Sequence, residues 1–240
     1  MDTDVDTGPD TGSSSVGILG SRVEDRLRSA VLGAEFGLRE RLTESGLARR
    51  LGVSRTPVRA ALVGLVADGL LTRVDGAYYV AVPDLAELRD LYELRVTLEL
   101  RGIARALENP SFRHDDAILA EQWAWWSGMR EEPPQPGPGF VLLDERFHVE
   151  LSRAARNAAL TAALVSVNAK IRRIRMYDFL TADRVATTVA EHVEILELLR
   201  AGELDAAHRA LHVHVGESLA VVWERASRAL TLMTLHGGHS

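Results

Sequence analysis

The sequence predicts a mainly α protein: an N-terminal winged helix-turn-helix with a small β-hairpin wing, then a C-terminal all-α bundle of about six helices. Three observations support this fold class. A tight turn at Gly52 leads into a helix that starts with exposed cations. Asp75-Gly76 separates two apolar, partly β-branched runs, a pattern typical of a hairpin. From Pro83 onwards apolar residues recur at helical spacing, without a strand pattern.

The length of 240 residues fits two domains. Residues 1–17 contain four aspartates and almost nothing apolar, so we expect a disordered tail. Residues 18–82 form the predicted winged domain, and residues 83–235 form the predicted helical domain. The net charge is −6, yet residues 18–82 carry ten arginines against seven acidic residues. This basic surplus favours a DNA-binding domain joined to an acidic partner domain.

Composition also excludes several classes of protein and site. The sequence has no cysteine, which rules out disulfides and thiolate metal sites. No apolar run approaches the roughly 20 residues that a membrane-spanning helix needs. The N-terminus lacks the basic and apolar regions of a secretory signal. We therefore expect a soluble, cytoplasmic protein with no membrane partner.

The winged domain begins with a helix predicted over about 20–33. Thr43 is the predicted N-cap of a second helix, which ends at Leu51, and Gly52 supplies the left-handed residue that ends it. A recognition helix is predicted over about 54–68, with Ser54 as its N-cap and its hydroxyl free to accept a backbone N–H. Strands predicted over 70–74 and 77–81 complete the wing.

Cations at the start of the recognition helix are the candidate DNA contacts. Arg55, Thr56 and Arg59 lie off its apolar side, at its N-terminal end. The planar guanidinium of arginine reads guanine edges or grips phosphate with two hydrogen bonds. Together with Arg50, these residues form the predicted DNA-binding set, a usual arrangement for a helix-turn-helix.

The helical domain starts with a capping box, in which Asp84 is followed three residues later by Glu87. Apolar periodicity and breakers such as Asn109-Pro110 then divide the remaining chain. The predicted helices are 84–108, 115–129, 139–155, 157–180, 182–200 and 203–230.

Asp144 and His148 lie four residues apart, on one face of one helix. His192 and His214 lie on the apolar stripes of two other helices. Three imidazoles and a carboxylate that face one core suit a divalent transition metal. On pattern alone two alternatives stay open. A single histidine on an apolar face is more often ordinary core, and His208 with His212 forms a rival pair.

Two longer runs carry a resemblance to known domains. The first comprises Leu42-Thr43-Glu44, Leu47-Ala48, Leu51 to Arg59, Ala61-Leu62, Leu65 and Asp68 to Leu71. The second comprises Leu91 to Arg95 with Glu99, Asp144 with Phe147-His148 and Leu151, Asn157, Glu191-His192 with Ile195-Leu196, and Ala207 with Ala210-Leu211 and His214. The first resembles the GntR-family winged helix. The second is similar to the FCD effector domain of that family.

This resemblance implies a ligand-responsive transcription regulator, with a repressor expected, that binds a palindromic double-stranded operator as a homodimer. It implies that one aspartate and three histidines hold a divalent metal, with zinc, nickel or manganese expected. These are Asp144, His148, His192 and His214, the last chosen over His212 for its Leu-x-x-His spacing. A small carboxylate is the implied effector. Arg95 matches an effector-facing arginine, and its alternative is a salt bridge to Glu99.

Two rival functions follow from the same residues. A three-histidine, one-aspartate site with an open position could activate water in a metalloenzyme. No second acidic residue presents itself beside the ligands, however, so we expect a protein that is not an enzyme. The other rival is a structural DNA-binding protein that responds to no effector.

Overall fold

A computed structural model describes residues 12–33, 35–37 and 39–216, with only the backbone described for residues 12–21 and 177. The chain divides into two compact units between Ala81 and Val82, next to the boundary predicted at Pro83. In both units the secondary structure follows the predicted fold class, a winged helix-turn-helix and a helical domain.

The first unit contains three helices and a hairpin. Its elements are α1 (Gly12–Leu32), α2 (Glu44–Leu51), α3 (Arg55–Ala67), β1 (Leu71–Val74) and β2 (Ala77–Val80). The strands are antiparallel, with Leu71 opposite Val80. Helix α3 packs on α1, and its Val58, Leu62 and Leu65 are fully buried. The buried side of α3 thereby fixes which of its residues remain exposed.

The N-terminal end of α1 differs from the prediction. The helix begins at Gly12, inside the segment 1–17 that we predicted to be disordered and well before residue 20. Val16 and Leu19 continue the apolar spacing that leads to Val23. Extending a formed helix is easier than starting one, so the Ser-rich segment can join it. The rest of the predicted tail, residues 1–11, lies outside the described residues.

The helix caps around the turn follow the sequence, with one exception. The Thr43 hydroxyl accepts a hydrogen bond from the Gly46 N–H at 3.1 Å, and Gly52 is left-handed with φ 69°. Ser54 occupies the N-cap position of α3, but its side chain makes no capping hydrogen bond. The prediction that its hydroxyl accepts an N–H was wrong, although its extended backbone still starts the helix.

Every regular element in the described part of the second unit is a helix. Its elements are α4 (Leu85–Glu108), α5 (Asp116–Glu131), α6 (Phe140–Ala154), α7 (Ala158–Arg175), a 3-10 turn (Met176–Phe179), α8 (Ala182–Ala201) and α9 (Leu204–Val215). The helix predicted over 157–180 thus tightens into a 3-10 turn after Arg175. The predicted last helix is helical to Val215, and its part from residue 217 onwards lies outside the described residues.

Helix packing in the second unit surrounds a core that contains Trp126, Phe147 and Val193. Helix α5 packs on α8, while α4 packs on both α7 and α9. The inner faces of α4, α6, α7, α8 and α9 therefore meet around one interior region. Among the described helices, none is long and apolar enough to cross a membrane.

Candidate metal centre and DNA-contacting helix

The four predicted metal ligands lie together in the interior of the helical unit. Asp144 and His148 come from α6, His192 from α8 and His214 from α9, and all four are buried. Each offers one ligand atom, and these atoms all lie within 4.8 Å of one another. Three helices thus bring one carboxylate and three imidazoles to a common point.

The spacing of these atoms matches a coordination shell. His214 Nε2 lies 3.0 Å from His192 Nε2 and 3.3 Å from His148 Nε2. The Asp144 oxygens lie 3.6 Å from the Nε2 atoms of His148 and His192. Neighbouring ligands at roughly 2.0–2.1 Å from one metal ion lie roughly 2.8–3.4 Å apart in octahedral or tetrahedral geometry. The residues present therefore fit a transition metal in both donor type and size.

Two of the imidazoles contact a carboxylate through Nδ1, the ring nitrogen that faces away from the common point. His148 Nδ1 lies 2.5 Å from Glu99 Oε2, and His214 Nδ1 lies 2.7 Å from Glu191 Oε2. A carboxylate on the outer ring nitrogen fixes the proton there and leaves the Nε2 lone pair facing inward. This support is usual around metal-bound histidines.

The ring of His192 is held by aromatic packing instead. Phe147 stacks on it with ring centroids 3.6 Å apart and an interplanar angle of 9°. Trp126 meets its ring edge-on at 4.3 Å. These side chains orient the imidazole through its ring, and within the described structure no hydrogen-bond partner is found for its Nδ1. They also make the side of the site next to His192 apolar.

Burial and neighbouring charge set the protonation of the ligands. Burial alone would raise the pKa of Asp144, but the Arg175 guanidinium and the imidazoles nearby hold it well below its usual range. Arg175 NH2 donates to Asp144 Oδ2 at 2.5 Å. Burial lowers the pKa of both His192 and His214. An ionised carboxylate and neutral imidazoles are the forms that bind metal.

Arg95 forms the ion pair that was the alternative to an effector contact. Its Nε donates to Glu99 Oε1 at 2.6 Å, and both side chains are buried. Burial favours the neutral form of Glu99, but the Arg95 guanidinium and the His148 ring beside it outweigh this effect and lower its pKa to about 2. The ionised Glu99 carboxylate therefore contacts both Arg95 and the candidate ligand His148.

The groups that support the centre were not predicted from the sequence. No second acidic residue was expected beside the ligands, yet Glu99 and Glu191 each contact one of them. Both lie on the outer nitrogens of the rings, where they orient imidazoles instead of facing the common point. Glu99 lies on the apolar stripe of α4, which is a usable sequence signal. Arg175 left no such signal. The rival pair is not part of the cluster, since His212 is exposed and His208 is half-buried.

The predicted DNA-contacting residues lie on the first unit. Arg55, Thr56 and Arg59 are exposed in the first turns of α3. Glu44, at the start of α2, accepts two hydrogen bonds from Arg59, through Nε and NH2 at 2.9 Å each. It also accepts one from Arg55 NH2 at 3.3 Å. One carboxylate thus fixes the directions of both guanidinium groups.

Arg50 lies apart from this pair and has different neighbours. Its NH2 donates to Glu35 at 3.2 Å, and its guanidinium lies 4.9 Å from the centre of the Phe36 ring. Both side chains of the ion pair are about half exposed. Such an exposed pair is weak and can exchange for a phosphate.

Comparison with known proteins identifies the family. Residues 19–77 match the gntR family of bacterial regulatory proteins, and residues 90–217 match the FCD domain. The chain belongs to the GntR family, in its FCD group. It is a transcriptional regulator with a DNA-binding GntR domain and an FCD effector domain.

Individual relatives agree with this placement. The Nta operon transcriptional regulator of Aminobacter aminovorans is 29% identical over 194 residues, which cover 80% of this chain and 89% of that protein. The "probable D-xylose utilization operon transcriptional repressor" of Paenarthrobacter nicotinovorans is 30% identical and covers 84% of this chain and 87% of its own length. These relatives are regulators, as predicted for a protein that is not an enzyme.

A solved structure shows the same fold. McbR/YncC of E. coli superposes with a TM-score of 0.66 at 21% identity, over 86% of this chain and 98% of that one. At this identity the likeness supports the fold alone. The chemistry of the site depends on the residues of this GntR regulator itself.

Proposed function

We propose that this GntR regulator is a dimeric repressor whose FCD domain binds a divalent metal and, beside it, a small organic carboxylate. Asp144, His148, His192 and His214 would hold the metal, with zinc, nickel or manganese expected. The observation that carries the proposal is the convergence of four buried ligand atoms within 4.8 Å. The outer contacts of Glu99 and Glu191 support it, because they direct the lone pairs inward.

The bound metal would supply positive charge for the effector carboxylate at a coordination position that the protein leaves open. The chain itself supplies the rest of the site. Phe147 and Trp126 make the side of the site next to His192 apolar, which strengthens a charge interaction there. Arg95 remains the predicted partner of the carboxylate, through N–H groups other than the Nε–H that it gives to Glu99.

On DNA, α3 would lie in the major groove. Arg55 and Arg59 would read base edges, while Thr56 and Arg50 would contact the DNA phosphate backbone. Two copies joined through their helical domains would place two recognition helices about 34–36 Å apart on a palindromic operator. The effector changes DNA affinity only if it favours one arrangement of the dimer over another. A relative named as a probable repressor supports the repressor role, and we take loss of DNA binding as the response.

The test combines DNA binding with metal loading. A duplex selected by the protein from a random pool is titrated in fluorescence anisotropy with metal-loaded and chelator-treated protein, with and without a panel of small carboxylic acids. At least one acid should weaken DNA binding by the metal-loaded protein and have no effect after chelation. His192→Ala should abolish the response, and the exposed His212→Ala is the matched control that retains it. Specific DNA binding that is indifferent to metal and to every acid would contradict the proposal.

A further inference from the structure

A cavity of about 370 Å³ lies at the end of the helical unit where α8 turns into α9. Its walls come from the C-terminal end of α4, the start of α5 and the connection between α8 and α9. Most of the residues that line it are apolar, among them Leu119, Leu199 and Leu204. A cavity of this size and lining is typical of small-molecule sites in proteins.

This cavity is distinct from the candidate metal centre, because none of the four candidate ligands lines it. Leu199 follows His192 by seven residues on α8, and Leu204 precedes His214 by ten residues on α9. At a rise of roughly 1.5 Å per residue, the cavity lies roughly 10–15 Å away along both helices. Leu211 lies between the two places on α9 and is fully buried, so apolar core separates them.

His114 is a buried polar residue in the wall of the cavity. It is 8% exposed, and its Nε2 has no hydrogen-bond partner among the described residues. Burial, aided by the charge of Arg105, lowers the pKa of the imidazole, and the charge of Asp116 opposes this effect only in part. The ring is therefore uncharged at pH 7, and with its proton on Nε2 it can donate to an oxygen atom. Since a buried polar atom without a partner is costly, a ligand oxygen would satisfy it.

The charged side chains in the wall are mostly cationic. Arg113 and Arg200 line the cavity against the single carboxylate of Asp116. The Arg200 guanidinium lies 4.4 Å from the centre of the Trp123 ring, which holds this side chain against α5. Two cations and an uncharged imidazole donor in a largely apolar wall favour a ligand that is both hydrophobic and negatively charged.

We propose that this cavity is a second ligand site of the helical unit and that it binds a small hydrophobic anion. The apolar part of the ligand packs on Phe112 and Leu204, while its anionic group pairs with Arg113 and Arg200. An oxygen of the ligand accepts the hydrogen bond of His114. The site gives this regulator a second chemical input, which depends neither on the proposed metal nor on the proposed carboxylate effector.

The test compares naphthalene-2-sulfonate with the uncharged 2-naphthalenemethanol on the full-length protein, by isothermal titration calorimetry. A sulfonate is a weak ligand for transition metals, so this probe separates the cavity from the metal centre. The wild type should bind one sulfonate per chain, about tenfold or more tightly than the alcohol, which cannot pair with the arginines. Chelator-treated protein should bind the sulfonate equally well.

Variants of the cavity wall assign the binding to named residues. His114→Phe keeps a ring but removes the hydrogen bond, and the double variant Arg113→Gln, Arg200→Gln removes both cations. Each should weaken sulfonate binding about tenfold. Ala201→Phe, at an exposed position in the wall, fills the cavity and should abolish binding. Arg146→Gln is the matched control, since Arg146 is also exposed and stacked on a tryptophan but does not line the cavity.

Thermal unfolding without the probe separates loss of a binding group from loss of the fold. His114→Phe should melt no lower than the wild type, because it removes an unsatisfied polar atom from the interior. Ala201→Phe leaves the buried ring unchanged, so it tests the cavity even if the interior does not tolerate phenylalanine at position 114.

Four results would overturn the inference. Wild-type protein that shows no saturable sulfonate binding would refute the site, and equal affinity for sulfonate and alcohol would refute its preference for an anion. Binding that is lost on chelation would assign the probe to the metal centre. Binding that survives both Ala201→Phe and the double arginine variant would place it elsewhere on the protein. None of these results bears on the proposed metal centre, which is tested by the metal content of His192→Ala.

Discussion

The Glu99 carboxylate lies 2.5 Å from Nδ1 of His148, at the ring nitrogen opposite the one that faces the other candidate ligands. The same carboxylate accepts from Arg95 at 2.6 Å, so an ion pair on α4 orients an imidazole on α6. Because Glu99 stays ionised, with a pKa of about 2, it keeps the ring proton on Nδ1. The Nε2 lone pair is thereby left for a metal.

Replacing Glu99 tests this orientation. Glu99→Gln keeps the shape of the side chain but removes the charge that fixes the ring, so metal affinity should fall about 10- to 100-fold. Competition with a chromophoric chelator measures it. The exposed Glu93→Gln, on the same helix, is the matched control. Unchanged affinity in Glu99→Gln would show that the contact does not serve the metal centre.

Glu44 is expected to set the sequence preference of the DNA-binding domain. It accepts hydrogen bonds from Arg55 and Arg59, and Glu44→Gln frees both guanidiniums while removing one negative charge. The affinity for a selected duplex should fall or stay level, and the affinity for scrambled DNA should rise. The ratio of selected-duplex to scrambled-DNA affinity should therefore fall about tenfold. Fluorescence anisotropy on both duplexes measures it. Asp25→Asn, an exposed change of equal charge on α1, should leave the ratio unaltered.

His114 should make the helical domain less stable in mild acid. Burial, aided by the charge of Arg105, lowers the pKa of its imidazole below the ordinary value of 6.5. The unfolded chain therefore binds a proton that the folded chain does not, and stability falls as the pH drops below about 6.5. In urea unfolding of chelator-treated protein, His114→Gln should lose less stability than the wild type between about pH 7 and pH 5. The exposed His212→Gln should follow the wild type, and equal slopes in all three proteins would refute this assignment.

Two glycines offer opposite effects on stability. Gly52 has φ 69°, so Gly52→Ala should cost about 1–2 kcal/mol by forcing a side chain into a left-handed conformation. Gly128 is exposed within α5, with nothing within 4 Å of an added Cβ. Gly128→Ala should therefore stabilise by about 0.5–1 kcal/mol. Denaturant unfolding of both variants measures the two changes, and a Gly52→Ala protein as stable as the wild type would contradict the first.

Local sequence patterns predicted the parts of the fold that depend on local chemistry. Three such parts are the left-handed Gly52, the Asp75-Gly76 turn and the capping box at Asp84. Each depends only on neighbouring backbone, so the sequence predicts it whatever the tertiary packing. The four-residue spacing of Asp144 and His148 likewise fixes one face of one helix. The extent of α1 was harder, because a polar segment joined a helix formed by the residues after it.

The supporting groups of the site could not be predicted, because they depend on how helices pack. Arg175 reaches Asp144 only through the register of α7 against α6, and periodicity within one helix does not encode that register. Glu191 precedes a predicted ligand on α8, yet it serves His214 on α9.

Metal content of the purified full-length protein, measured by inductively coupled plasma mass spectrometry, tests the central claim most directly. The wild type and His212→Ala should each hold about one transition metal ion per chain after loading and desalting, because four buried protein ligands bind tightly. His192→Ala and His214→Ala should lose it. Wild-type protein that holds no metal, or variants that retain it in full, would contradict the metal centre and leave the four residues as a polar core.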